Sequence, residues 1–202
     1  LAHLIPPVMR TLAACALMCP AVALAQSCPQ TPVNDAPLRL TRADPFMQID
    51  YTSTAEGLRE DRTMEVRGLT RDSTTLYAHP LVPARLTSDQ TKITMRYDAP
   101  LQGIETLDRD KKWESGYTVS SDGEELFKGR FTLSYKRSAN VVIGECRYNV
   151  WVVEARMYRP ELYSNFEQLY APKLGIVLGS VAKNAEDTPV SGVFFDHIER
   201  GL

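Results

Sequence analysis

The 202-residue sequence has little of what most catalytic chemistry uses: three histidines, four cysteines and two tryptophans. Beyond the first 25 residues only His79 and His197 remain as imidazole bases. A hydrolase needs a Ser or Cys nucleophile, a base and an orienting acid held together. Asp196 and His197 are neighbours, but on a strand neighbours point to opposite faces. There is no Gly-x-Ser-x-Gly elbow, since Gly179-Ser180-Val181 lacks the rest. His197 therefore reads as a strand-surface or loop histidine. Catalysis ranks last among the functional readings, as a hydrolase of unknown type, and no catalytic residue is assigned.

Clustered metal ligands and Gly-rich loops are missing too. Asp108–Lys112 lacks the Gly and the terminal Glu of a calcium loop. Cys28 and Cys146 lie far apart, without clustered histidines, and make no zinc signature, and Gln102-Gly103-Ile104 falls short of a phosphate cradle. No metal or cofactor is expected. The acidic groups Asp108/Asp110, Asp122/Glu124/Glu125 and Glu186/Asp187 sit beside Gly, Lys or Thr and read as solvated turns. A glycosidase pair is defined by spatial separation, which a sequence does not show.

Charge of neither sign dominates: 23 Lys+Arg stand against 25 Asp+Glu. No basic stripe is present, which disfavours nucleic acid as a partner. No run approaches the ~20 apolar residues of a membrane-crossing helix. The uncharged stretch Leu12–Val22 contains Pro20, follows Arg10 and precedes Ala23-Leu24-Ala25. That is the layout of a cleavable signal peptide, with Met9 as the expected start and cleavage between Ala25 and Gln26. Removing residues 1–25 takes away Arg10 and no acid, so the net charge falls from −2 to −3. The expected location is the bacterial periplasm. Lipidation is disfavoured. Gln26 is bulky and polar for a lipobox ending at Cys28, and Leu12-Ala13-Ala14-Cys15 leaves almost no apolar segment after Met9.

Export would leave Cys28 and Cys146. In an oxidising compartment a pair invites a disulfide. The alternative is a buried free Cys146 with Cys28 exposed on a loose leader.

What the sequence does have is period-2 alternation. Met47, Ile49 and Tyr51 alternate with Gln48, Asp50 and Thr52. Ile93, Met95 and Tyr97 alternate with polar residues, as do Met64 and Val66. Phe127, Phe131, Leu133 and Tyr135 face one way, against Lys128, Arg130, Thr132 and Ser134. Strands with one wet face are typical of antiparallel sheets. Ser121-Asp122-Gly123 marks a hairpin, and Ser138-Ala139-Asn140 is expected to end its second arm. Val150–Val153 reads as a strand buried on both faces. Pro160–Gln168 is expected to hold a turn of helix, and Asp72–Leu76 a short irregular piece. The result is nine or ten strands in a mainly β fold: a strongly curved antiparallel sheet or partial barrel, with a β-sandwich as the alternative. Residues 26–45 read as a flexible leader and 46–202 as one β domain. Within that leader, Leu38-Arg39-Leu40 is a candidate edge strand.

The large side chains Phe127, Phe131, Tyr135 and Trp151 are the candidates for an apolar ligand face on a curved sheet. The competing reading is a filled core, the usual fate of such groups.

The run Gly144-Glu145-Cys146-Arg147-Tyr148-Asn149-Val150-Trp151-Val152-Val153-Glu154 precedes Leu169-Tyr170-Ala171-Pro172-Lys173-Leu174-Gly175-Ile176-Val177-Leu178. This pattern resembles exported bacterial proteins of unknown function that look like relatives of the curved half-barrels of the LolA/LolB lipoprotein-carrier type. The resemblance spans roughly residues 112–198 and is loose in 47–98. It implies a fold and an envelope location; no lipid-contacting residue matches, so none is carried over. The expected role is non-catalytic: binding a lipid, another hydrophobic ligand or an envelope protein through a curved β-sheet. The alternative is a structural or interaction module of the envelope without a small ligand.

Overall fold

The computed structural model describes residues 27–160 and 162–201; the expected signal segment and the Ala25/Gln26 cleavage site lie outside the described residues. Among the described residues thirteen strands form one antiparallel sheet. The first six are β1 (Leu38–Arg42), β2 (Met47–Thr54), β3 (Gly57–Val66), β4 (Leu69–His79), β5 (Val82–Ser88) and β6 (Lys92–Tyr97). A 3-10 turn at Leu101–Ile104 and a short helix, α1 (Leu107–Asp110), follow. Then come β7 (Lys112–Ser121), β8 (Glu124–Ile143), β9 (Cys146–Arg159), β10 (Leu162–Ala171), β11 (Ile176–Lys183), β12 (Pro189–Val193) and β13 (His197–Arg200).

From β1 to β12 each strand pairs with its sequence neighbour, and β13 returns to pair with β1. The chain thus passes from one edge of the sheet to the other through residues 194–196 alone. A span that short requires the sheet to curl until its edges are close, although β12 and β13 do not pair. The crossing is tied down locally. Phe195 is buried in the core, the Asp196 N–H donates to Thr41 O at 2.9 Å, and the Asp196 carboxylate accepts from the Ala43 N–H at 2.8 Å.

Two-residue turns with positive φ set the register at two hairpins. Asp122 (φ 49°) and Gly123 (φ 87°) join β7 to β8, and Arg67 (φ 54°) and Gly68 (φ 74°) join β3 to β4. Positive φ at both central residues is the hairpin turn whose twist matches the strands. Between β10 and β11 the chain reverses over Pro172–Gly175, with the Gly175 N–H (φ 71°) bonded to Ala171 O at 2.9 Å.

The interior is split in two. One core gathers Leu38, Leu40, Met47, Ile49, Tyr51, Ile143, Tyr148, Val150, Ile176, Leu178 and Ile198. The other gathers Val82, Trp113, Tyr117, Val119, Phe131, Leu133, Val153 and Ala155, closed at one end by Ile104 and Leu107 of the helical insert. Along β9, Tyr148 and Val150 serve the first core while Val153 and Ala155, of opposite parity, serve the second. Successive side chains alternate between faces, so the two cores lie on opposite faces of the β8–β9 ribbon. On β8 the register slips between Tyr135 and Arg137, which makes Lys136 an extra residue. Leu133 (opposite Ala155) and Ala139 (opposite Val150) therefore face opposite ways despite equal parity. Bulges of this kind bend a strand and re-aim its side chains. The extra Lys136 pairs with buried Glu154 at 2.9 Å, which also holds Arg156 at 2.9 Å. Burial works to raise the Glu154 pKa, but the bonds from Lys136 and Arg156 outweigh it and hold the carboxyl below its ordinary value.

Several sequence expectations change. Thirteen strands replace nine or ten, because polar, two-sided strands carry weak alternation. Asp72–Leu76 lies inside β4, and the residues read as a turn of helix belong largely to β10. β8 does not stop at Ser138–Asn140; it continues to Ile143 because Val141 and Ile143 pack in the first core. Leu38–Arg42 is not an edge strand, since it lies between β2 and β13. The leader is anchored as well. Cys28 is disulfide-bonded to Cys146, Val33 is buried, and its N–H donates to Leu174 O at 2.9 Å.

Candidate ligand-binding site

The second core does not fill its space evenly. Near the β7–β8 hairpin a cavity of about 350 Å³ opens among Ile93, Met95, Tyr117, Val119, Phe127 and Met157. Cross-strand register puts these residues together: Met95 is opposite Val119, and Val119 is opposite Phe127. Three adjacent strands thus present one apolar row on one face. The next step along β8 is Gly129, opposite Tyr117. A Cβ there would lie 2.7 Å from the Tyr117 ring and 2.2 Å from Tyr158 O. Only glycine lets the ring lean across β8 beside the cavity.

The deep wall is apolar. Tyr117 and Val119 are buried, and Ile93, Met95, Phe127 and Met157 are half-buried. Burial raises the Tyr117 hydroxyl above its ordinary pKa, with Arg159 pulling partly the other way. The mouth carries Thr91, Ser164, the 55% exposed Leu126, and Arg159. The Arg159 guanidinium stands over the Phe127 ring, 5.6 Å from its centroid.

The four residues singled out from sequence all border this core, but in different ways. Phe127 lines the cavity. Phe131 is 2% exposed and belongs to the filled part, edge-on to Trp113 at 6.0 Å. Tyr135 and Trp151 stack edge-to-face at 6.0 Å, further along the ribbon. Phe131 is packed solid, whereas Phe127, Tyr135 and Trp151 are half-buried. Sequence reasoning missed Val119, Leu126 and Arg159 as site residues. Ile93 and Met95 were legible as a strand face, and nothing local marks Arg159.

The other cavities differ in kind. A groove of about 500 Å³ on the β3–β5 surface is lined by Thr54, Glu56, Arg59, Thr74, Arg85 and Thr87 among others. Its ions pair within the protein, Arg59 with Asp61 at 2.7 Å and Arg85 with Glu56 at 3.5 Å. A pocket of about 100 Å³ lies beside Glu60, which is 2% exposed and saturated by Arg62 at 2.7 Å and the Tyr77 hydroxyl at 3.0 Å.

The histidines stand apart from these cavities. His79 is buried against Tyr170, their ring centroids 5.7 Å apart, and its Nδ1 accepts the Leu81 N–H at 3.1 Å. That bond fixes the proton of the neutral ring on Nε2, which faces exposed Glu105 at 3.7 Å. Burial lowers the His79 pKa to about 4. His197 is half-exposed beside Glu199 at 3.4 Å. Among the described residues no group of three or more His, Cys, Asp or Glu is placed to hold a metal ion, and no helix is long and apolar enough to cross a membrane.

Compared with known protein families, curated proteins and solved structures, the chain matches none.

Proposed function

We propose that this protein is exported to the periplasm and acts without catalysis, holding a hydrophobic ligand in the cavity between β6, β7, β8 and β9. The observation that carries the reading is the cavity itself. At about 350 Å³ it reaches the size range of small-molecule sites, and like them it is apolar with a few polar groups at one end. Its walls leave Ile93, Met95, Phe127 and Met157 half-exposed, so a ligand that covers them is favoured by the burial of apolar surface. The Cys28–Cys146 disulfide supports an oxidising compartment, in line with the signal-like start. The open curled sheet is what a LolA/LolB-type half-barrel would require.

A second reading rests on a different observation. The edge strand β12 and the crossing after it expose Val190 (63%) and Phe194 (52%). Open, apolar strand edges invite pairing with another chain, which suits an envelope interaction module without a small ligand.

Native mass spectrometry of the periplasmic protein separates the two. A ligand-bound mass that disappears in Met95→Trp, which fills the cavity, supports the binder. A bare monomer mass for the wild type, with a protein partner recovered through Val190 and Phe194, replaces it with the interaction module. The same spectrum reads whether the chain begins at Gln26.

A further inference from the structure

The geometry points to a specific class of ligand: an anionic amphiphile with one unbranched chain, its head group held by Arg159 at the mouth. This rests on the cavity reading above and adds the charge and size of what enters. Among the described lining residues Arg159 is the single ion, and no carboxylate joins it. The described residues offer it no ion pair, whereas Lys128 nearby is already paired with Glu125 at 3.5 Å. Its guanidinium is instead held over Phe127, which is also a wall of the cavity. A cation on an aromatic face keeps its in-plane N–H donors free for an oxyanion. The hydroxyls of Thr91 and Ser164 share the lining and suit the outer oxygens of a carboxylate or phosphate-type head group.

The depth sets the tail. Behind Arg159 the wall offers only Ile93, Met95, Val119, Phe127 and Met157, with Tyr117 at the back. Allowing ~30 Å³ per chain carbon, the share a water molecule takes in the liquid, about 350 Å³ holds a chain of roughly ten to twelve carbons. The two half-buried methionines are unbranched and adapt to a sliding chain.

The test compares dodecanoate with dodecan-1-ol, below micelle-forming concentration, on the mature exported chain by calorimetry and native mass spectrometry. Dodecanoate is expected to bind about tenfold more tightly than the alcohol, as one charge-assisted contact at a partly exposed site would give. The Arg159→Gln variant should erase that preference by bringing the affinity for dodecanoate down to about that for the alcohol. High salt should shrink the preference, since the guanidinium is exposed and screened. Equal affinity for acid and alcohol in the wild type, or a preference that survives Arg159→Gln, overturns the head-group assignment and leaves the cavity reading standing. Failure of both ligands to bind, with no change on Met95→Trp, overturns both.

Discussion

Reducing the Cys28–Cys146 bridge should weaken the protein substantially without unfolding it. The bridge closes a loop spanning 118 residues of separation, from the leader through β1–β8. In the chain-entropy model that constraint on the unfolded state amounts to about 5 kcal/mol, and real bridges deliver nearer 2–4. The native state should survive because the leader has other ties. The Val33 N–H bonds Leu174 O, and the Arg200 guanidinium donates to Ala36 O at 2.7 Å and Thr31 O at 2.6 Å. Urea unfolding followed by tryptophan fluorescence measures the effect, with reduction verified by mass. At ~2 kcal/mol per molar for a domain of this size, the midpoint should fall by about 1–2 M. Reduced wild type is a cleaner probe than Cys146→Ser, which would bury a hydroxyl at a fully buried position. Two results refute the reasoning. An unchanged midpoint means the bridge constrains nothing, and loss of native fluorescence in reductant alone means the leader is held by the sulfurs only.

Gly129→Ala should cost roughly 1–3 kcal/mol or more, because its Cβ would meet Tyr158 O at 2.2 Å. Gly68→Ala, with nothing within 4 Å but φ +74°, should cost about 1 kcal/mol; equal urea midpoints for the two would discredit the close-approach argument. Stability should also fall as the medium is acidified below neutrality. Burial lowers the His79 pKa from 6.5 to about 4, so between those values the unfolded chain binds a proton that the folded one does not. The contribution is complete above pH 6.5 and lost as pH falls through 4, up to ~3 kcal/mol in all. Exposed Glu105 is too well solvated to offset it. The urea midpoint of His79→Gln should show a shallower slope between pH 7 and 5 than wild type, and parallel slopes would remove His79 as the cause.

Much of the fold is legible where a strand has one wet face. Met47–Tyr51 and Ile93–Tyr97 alternate because water lies on one side and the core on the other. β4 was not legible over Asp72–Leu76, since Asp72 is exposed and Ser73, Thr74 and Leu76 are only half-covered. A strand that buries little on either face has no period to read. The continuous run Val150–Val153 was legible as doubly buried, but its reason was not: Val150 serves one core and Val153 the other. The site was legible only as a face. Phe127 and Phe131 share parity on β8, and whether a shared face is packed or hollow depends on what the opposing strands bring to it. At Phe131 that is Trp113. At Phe127 it is Arg159, a long side chain whose charged end stays near water.

The inversion of the sheet at Lys136 accounts for where the cavity lies. A single curled sheet with one inner face would gather all its large residues in one place and fill it. Here the bulge hands the inner face of β8–β9 from the first core to the second, so each core has only part of the ribbon to draw on. The first core is sealed by the leader, the Phe195 crossing and β13. The second is sealed at one end by Ile104 and Leu107 of the helical insert, placed there by the Trp113 indole N–H bonded to Pro100 O at 3.0 Å. At its other end, beside the β7–β8 hairpin, no second insert among the described residues covers the sheet. Gly129 removes a side chain at that same end, and Leu126 and Arg159 stand at the opening. A fold that needed only stability would place a bulky apolar residue where Met95 or Val119 leaves room, because filling such a void typically stabilises a domain. That the row stays short of filling it, with Arg159 the one cation among the described lining residues, is the observation on which the proposed ligand site rests.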